Sequence, residues 1–179
     1  SLNRRILVLE YSDFQCPFCK RVQLTLEKIR KKYSNEVQFG YRHFPLPFHK
    51  EAQGLAQAVE CARDQDKFWE LQSLFYKNIS NSANDKEVLG MAKRVGIGSI
   101  RDFEFCWRNG KYAERVKNDI RDGIDLGIQG TPTFILGVYD QETQTVSGEM
   151  FSGAVSEEKF VQVIEKHLSS IRTEANLSR

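Results

Sequence analysis

The residues best suited to chemistry are Cys16-Pro17-Phe18-Cys19. They follow a short apolar run, Ile6-Leu7-Val8-Leu9, and open a segment with helical periodicity. Thiol–disulfide exchange needs a thiolate as attacker or leaving group. The free N–H groups and dipole of a helix N-terminus stabilise that anion. A spacing of two residues places the second sulfur one turn into the helix, within reach of the first. Cys16 is then the exposed nucleophile, and Cys19 the buried resolving thiol that closes the ring and ejects a bound partner.

Other uses of this spacing fit less well. Four-ligand zinc needs a second pair at matching spacing. The remaining cysteines, Cys61 and Cys106, lie far apart, and His43, His49 and His167 show no ligand rhythm. A purely structural bridge across so short a loop constrains the unfolded chain little. The pair reads as redox-active, with no metal and no flavin or nucleotide cofactor.

The elements that position the pair follow from periodicity. Residues 6–11 read as a buried strand ending in a turn-like Ser12-Asp13. Residues 17–33 read as a helix, with Val22, Leu26, Ile29 and Tyr33 at helical spacing and Pro17 tolerated in the first turn. Val37, Phe39 and Tyr41 alternate with polar or small residues, a strand pattern that Pro45 and Pro47 should break. Residues from about 49 to 110 look wholly helical, with Phe68, Trp69, Leu71, Leu74 and Phe75 read as core. A helix over 112–126 is stopped by Gly127. Gly130-Thr131-Pro132-Thr133 turns into a strand over 133–136, and a second strand lies around 149–152. Ser156 caps a last helix running to about Ile171, and the polar tail beyond Thr173 is expected to fray. Without the helical block a compact α/β unit remains. Its first two strands should be parallel and its last two a hairpin.

The 179 residues suit one domain, or one domain carrying an insertion. With 26 basic and 24 acidic residues, the net charge of +2 calls for neither nucleic acid nor an anionic membrane as partner. No apolar run approaches a membrane span or a signal-peptide core. The chain starts close to its first strand, so a mature or trimmed form is expected, with any targeting segment absent from this chain.

Residues 10–20, Glu10-Tyr11-Ser12-Asp13-Phe14-Gln15-Cys16-Pro17-Phe18-Cys19-Lys20, resemble the active-site stretch of DsbA-like thiol–disulfide oxidoreductases. So do Tyr41-Arg42-His43-Phe44-Pro45-Leu46, Lys67-Phe68-Trp69 and Gly130-Thr131-Pro132-Thr133, in family order across most of the chain. The resemblance implies an α/β thioredoxin fold with an inserted all-helical domain. Residues 1–48 and 111–179 would form the thioredoxin-like domain, and 49–110 the insertion. Cys16 matches the family nucleophile and Cys19 its resolving partner, with Pro17 and Phe18 between them. Pro132 matches a cis-proline facing the disulfide, and Thr131 the residue whose backbone pairs with an extended substrate peptide. Glu10 matches a buried acid behind the site. It reads either as a proton relay to Cys19 or as a salt-bridged strand-end residue.

Two departures bear on redox strength. The most familiar family member has His where Phe18 stands and Val where Thr131 stands. Histidine stabilises a thiolate and phenylalanine does not, so a weaker oxidant with a still-depressed Cys16 pKa is expected.

Cys61 and Cys106 are either buried free thiols or a structural disulfide, as in some family members. The oxidising compartment where the family works favours the bridge. The implied function is introduction of disulfides into unfolded or partly folded exported proteins in a periplasmic-type compartment, with a membrane oxidase regenerating the disulfide. A disulfide isomerase or reductase, or a non-catalytic peptide-binding module, are the alternatives. Isomerases of the superfamily usually carry a dimerisation domain for which this chain has no room.

Overall fold

The computed structural model describes residues 5–177, with side chains through Thr173. The chain runs β1 (Ile6–Ser12), α1 (Pro17–Lys32), β2 (Val37–His43), α2 (Ala52–Arg63), α3 (Phe68–Asn78), α4 (Asp85–Arg94) and α5 (Ile100–Arg108). It continues through α6 (Ala113–Asp125), β3 (Thr133–Asp140), β4 (Thr145–Ser152) and α7 (Glu157–Leu177). The strands form one sheet in the order β2-β1-β3-β4. β1 pairs parallel with β2 and antiparallel with β3, and β3–β4 is an antiparallel hairpin. This is the α/β thioredoxin fold with added helices that the sequence implied.

Alternation along β1 sets the two faces of the sheet. Ile6 and Val8 join a core with Val22, Leu26 and Ile29 of α1 and Phe160, Val163 and Ile164 of α7. Each aliphatic side chain buried there stabilises by roughly 1.5–3 kcal/mol. Tyr11 faces the other way, onto Phe44 and Ile128, with Ile120 of α6 packed alongside. Glu10 and Ser12 share the parity of Ile6 and Val8, so both point into the face that α1 covers.

Helices α2 to α5 enclose a second core around Leu55, Val59, Leu71, Phe75 and Phe103. Cys61 and Cys106 are joined there by a disulfide. The same core continues into Phe14, Cys16, Cys19 and Tyr41, so the cysteine pair sits where the helical block meets the sheet.

Four elements depart from their expected extents. Ser12 is the last residue of β1 rather than part of a turn, because its backbone stays in register with His43 of β2. β3 and β4 both run further than expected. Gly137 and Gly148 face each other, and a β-carbon on Gly137 would collide with the Ser147 carbonyl oxygen. Two glycines let the strands close there, and the ladder continues to Asp140 and Thr145. Helix α7 continues to Leu177, past the expected stop near Ile171. No Gly or Pro interrupts it, and the Ser169, Ser170 and Thr173 hydroxyls bond back to carbonyls of the preceding turn.

The disulfide closes a loop of 45 residues, which by loop-closure entropy stabilises by about 4 kcal/mol. Replacing Cys61 and Cys106 together by Ala should lower unfolding stability by about 2–5 kcal/mol in denaturant titration and leave thiol exchange intact. Lost exchange at unchanged stability would show that the bridge acts on the site and not on the fold.

Candidate functional site

Cys16 is the N-cap of α1, with extended backbone, and Pro17 occupies the first helical turn. Proline suits that place because its missing N–H would have no helical partner there. The Cys16 N–H donates to the Asp13 carbonyl at 3.1 Å, which tightens the turn leaving β1. Cys19, one turn in, is wholly buried, whereas Phe18 between them is 49% exposed. Across the site the Thr131–Pro132 peptide bond is cis. The Cys16 thiol donates to the Thr131 carbonyl at 3.3 Å. The structure therefore brings Cys16, Cys19, Thr131 and Pro132 together from two segments far apart in the chain.

The two thiols have opposite electrostatics. Cys16 is lowered from 9.0 to about 5, chiefly by a hydrogen bond from Cys19, against an opposing cost of burial. Hydrogen bonds from the Cys19 and Phe18 backbone N–H groups add to the fall. Cys19 is pushed up, first by burial and then by the neighbouring Cys16. The pair titrates as a unit in which the first proton comes off the outer sulfur. Cys16, expected to be exposed, is itself buried at 4% accessibility on the wall of a cleft, so the pair keeps one good leaving thiolate beside that cleft and one protonated thiol deeper inside.

Behind Cys19 lies a polar group enclosed by apolar walls. Glu10 is buried, and burial raises its carboxyl from 4.5 to about 7. Its Oε1 accepts from Ser12 Oγ at 2.7 Å and from Gln23 Nε2 at 2.9 Å. Arg30 acts on it only through its charge. Glu10 is thus a solvent-shielded, hydrogen-bonded acid and makes no salt bridge among the described residues.

Three further residues shape the site. Asp13 is buried. Its Oδ1 accepts from the Gln15 N–H at 2.7 Å, and its Oδ2 accepts from the Leu46 N–H at 2.8 Å and pairs with His49 Nδ1 at 2.7 Å. Gln15 accepts from the Glu51 N–H and donates to the Asn81 carbonyl. The loop bearing Cys16 is thereby tied to the segments before α2 and after α3. A cleft beside Cys16 is lined by Phe14, Gln15, Pro17, Ile79 and Asn81.

Residues 5–166 match a family model described as Thioredoxin. The chain belongs to that family. Wolbachia pipientis alpha-DsbA1 superposes on this thioredoxin-family chain with a TM-score of 0.80 at 22% identity, covering 98% of this chain and 92% of that one. Oxidised BdbD from Bacillus subtilis gives 0.75 at 20%, covering 94% and 90%. Pseudomonas aeruginosa DsbA2 gives 0.71 at 23%, covering 92% and 90%. These likenesses establish a shared fold. Among curated sequences, Na(+)/H(+) antiporter NhaA 1 of Salinispora arenicola is 33% identical over 133 residues, which is 73% of this chain and 20% of the antiporter. The chain spans about a fifth of the length of the curated relatives it matches.

Sequence reasoning does not single out Ser12, Gln23, Tyr76, Asp13 or Gln15 as site residues. Ser12 and Glu10 carry a readable signal, since residues two apart on a strand share a face. Tyr76 carries none, because nothing local distinguishes it from the other core aromatics of the helical block.

The reduced protein should show a thiolate absorbance that titrates near 5, far below an ordinary thiol at 9.0. The depressed pKa contributes stability that is complete above the unfolded-state value and is lost as pH falls through about 5. The disulfide form has no such thiolate. Denaturation midpoints of the two forms should therefore shift in favour of the reduced protein as pH rises from 5 to 9. A constant difference would remove the anion from the account.

Proposed function

We propose that this protein is a thiol–disulfide oxidoreductase that introduces disulfides into exported proteins through Cys16 and Cys19. The observation that carries the reading is the asymmetric pair, an outer thiol favoured as thiolate beside a buried thiol favoured as neutral. A client thiolate attacks Cys16 of the oxidised protein. The Cys16–Cys19 bond breaks as the client–Cys16 bond forms, and Cys19 takes up a proton. A second client thiolate then attacks the client sulfur, forming the client disulfide and releasing Cys16 as thiolate. Two electrons move from client to protein. A low Cys16 pKa favours the last step, because the better leaving thiolate departs faster.

The Thr131 carbonyl lies 3.3 Å from Cys16 Sγ, which supports a reading in which the Thr131 backbone pairs with an extended client peptide. The reading assigns residues 1–48 and 111–179 to the exchange domain and 49–110 to an inserted helical domain. The Cys61–Cys106 disulfide supports an oxidising, periplasmic-type location. A membrane oxidase of suitable potential would return the pair to the disulfide state.

An isomerase or reductase would use the same chemistry in the other direction, so the equilibrium of the pair against glutathione decides between them. A dithiol oxidase should lie between roughly −120 and −200 mV, and a reductase near roughly −270 mV. Phe18→His should lower the Cys16 pKa further and raise the potential, because an imidazolium stabilises the thiolate that only backbone and thiol donors stabilise here. Cys16→Ser should abolish turnover. Retention of full cellular activity by that variant would favour a non-catalytic peptide-binding role.

A further inference from the structure

The faces that α1 and α3 turn toward each other do not close completely. On α1, Lys20, Gln23, Leu24 and Glu27 recur at steps of three and four and share one side of the helix. On α3, Gln72, Ser73, Tyr76 and Lys77 do the same. Between them lies a cavity of about 320 Å³, next to the cleft beside Cys16, with Lys20 and Tyr76 lining both. That volume is at the low end of what small-ligand sites enclose, roughly 300–1,000 Å³. It suits one small molecule better than a peptide strand, and its wall is mainly apolar.

Two things in this cavity lack a counterpart. The first is charge. Lys77 pairs with Glu27 at 3.5 Å. Lys20, Arg21 and Arg30 also line the cavity, and none of the three has a carboxylate within ion-pair distance among the described residues. Rings hold Arg30 instead, with its guanidinium carbon 5.1 Å from the Phe39 centroid and 5.5 Å from that of Trp69. Stacking answers the faces of a guanidinium and not its N–H edge. The second is a donor. Gln72 is 2% exposed, and its Nε2 meets no acceptor among the described residues. A buried donor without an acceptor costs stability. The last torsion of glutamine is soft, so the amide can turn toward a group that enters the cavity. Apolar surface then continues outward over Leu24, which is 67% exposed.

We propose that the cavity between α1 and α3 binds a small amphipathic carboxylate, a free single-tailed fatty acid being the class that fits. The carboxylate accepts from the Gln72 amide and from Arg30. The tail lies against the Tyr76 ring and leaves over Leu24, and Lys20 and Arg21 draw the anion to the rim. Each part of such a ligand answers a feature left open in the empty cavity. A neutral apolar molecule would leave three cations and the buried amide unanswered. A phosphate or sulfate ion would leave the apolar wall bare, and a cationic amphiphile would be repelled. The inference stands apart from the exchange chemistry proposed above.

The test is calorimetric titration of the unaltered protein, in its Cys16–Cys19 disulfide form, with decanoate below its micellar concentration. Decanol and decyltrimethylammonium are titrated beside it. One decanoate should bind per chain, at least about tenfold more tightly than decanol, the worth of one charge-assisted hydrogen bond. Decyltrimethylammonium should not bind, and added salt should weaken decanoate. Gln72→Leu should cut the preference for decanoate over decanol by at least about threefold, and it should raise the denaturation midpoint of the empty protein by removing a buried donor that lacks an acceptor. Lys20→Gln with Arg21→Gln, both exposed, should weaken decanoate and leave decanol unchanged. Ser73→Trp should fill the cavity and block both ligands. If that variant does not fold, backbone amide resonances of the unaltered protein replace it, and those of Leu24 and Ser73 should move with decanoate while that of Thr131 stays. Decanol binding as tightly as decanoate, an unchanged preference in Gln72→Leu, or resonance shifts centred on Thr131 would each overturn the site. So would binding of phosphatidylglycerol vesicles with no binding of free decanoate, which would mark a lipid surface as the partner.

Discussion

The structure depends on an inequality between two sulfurs one helical turn apart. A thiol at the N-cap of α1 meets unpaired backbone N–H groups, and a thiol inside the first turn meets the sheet. Burial raises the inner group by the same physics that leaves the outer one to be governed by hydrogen bonds. Each neutral Cys19 stabilises an ionised Cys16 by donating to it, so the inequality reinforces itself. Moving the pair one residue along the helix would destroy it. Cys16 would enter the helix and lose its cap position, and Cys19 would rotate off the buried face defined by Val22, Leu26 and Ile29.

Keeping that register requires that β1, the start of α1 and the Thr131–Pro132 turn hold still relative to one another. β1 is central in the sheet and bonded on both edges, which fixes where α1 begins. The helical block adds a second restraint. Asp13 and Gln15 fasten the Cys16 loop to residues flanking α2 and α3. Deeper in the same seam, His43 at the end of β2 pairs with Glu60 of α2 at 3.0 Å. Glu60 also takes Arg63 and, from α6, Arg115. These charge-assisted contacts cross from sheet to helices where apolar packing alone would permit sliding. Burial pushes the Glu60 carboxyl up, but hydrogen bonds and charge from His43 and Arg63 outweigh it and hold it down at about 2.

Much of this was legible in the sequence, and the reasons differ by residue. Cys16 and Cys19 announced themselves because their spacing, the preceding apolar run and Pro17 all specify one local geometry. The strand and helix order followed from periodicities of two and 3.6, which survive tertiary context when one face is buried. The ends of β3, β4 and α7 did not follow. The β3–β4 extension turns on two glycines meeting across a ladder, and α7 on hydroxyls that satisfy carbonyls locally. The two readings of Glu10 could be separated only once its partners were visible. With Ser12 and Gln23 as hydrogen-bond donors and Arg30 acting only at a distance, the carboxyl is shielded rather than ion-paired.

That shielding has an energetic consequence opposite in sign to that of Cys16. A carboxyl raised from 4.5 to about 7 binds more protons folded than unfolded in between, so it weakens the folded state as pH rises through that window. Cys16 in the reduced protein strengthens it over an overlapping window, from about 5 upward. The reduced form carries both contributions and the disulfide form only the first. A fold selected for stability alone would replace Glu10 with an apolar residue of similar size, as the surrounding core would accept. Burying Glu10 there carries a cost that the rest of the core must offset.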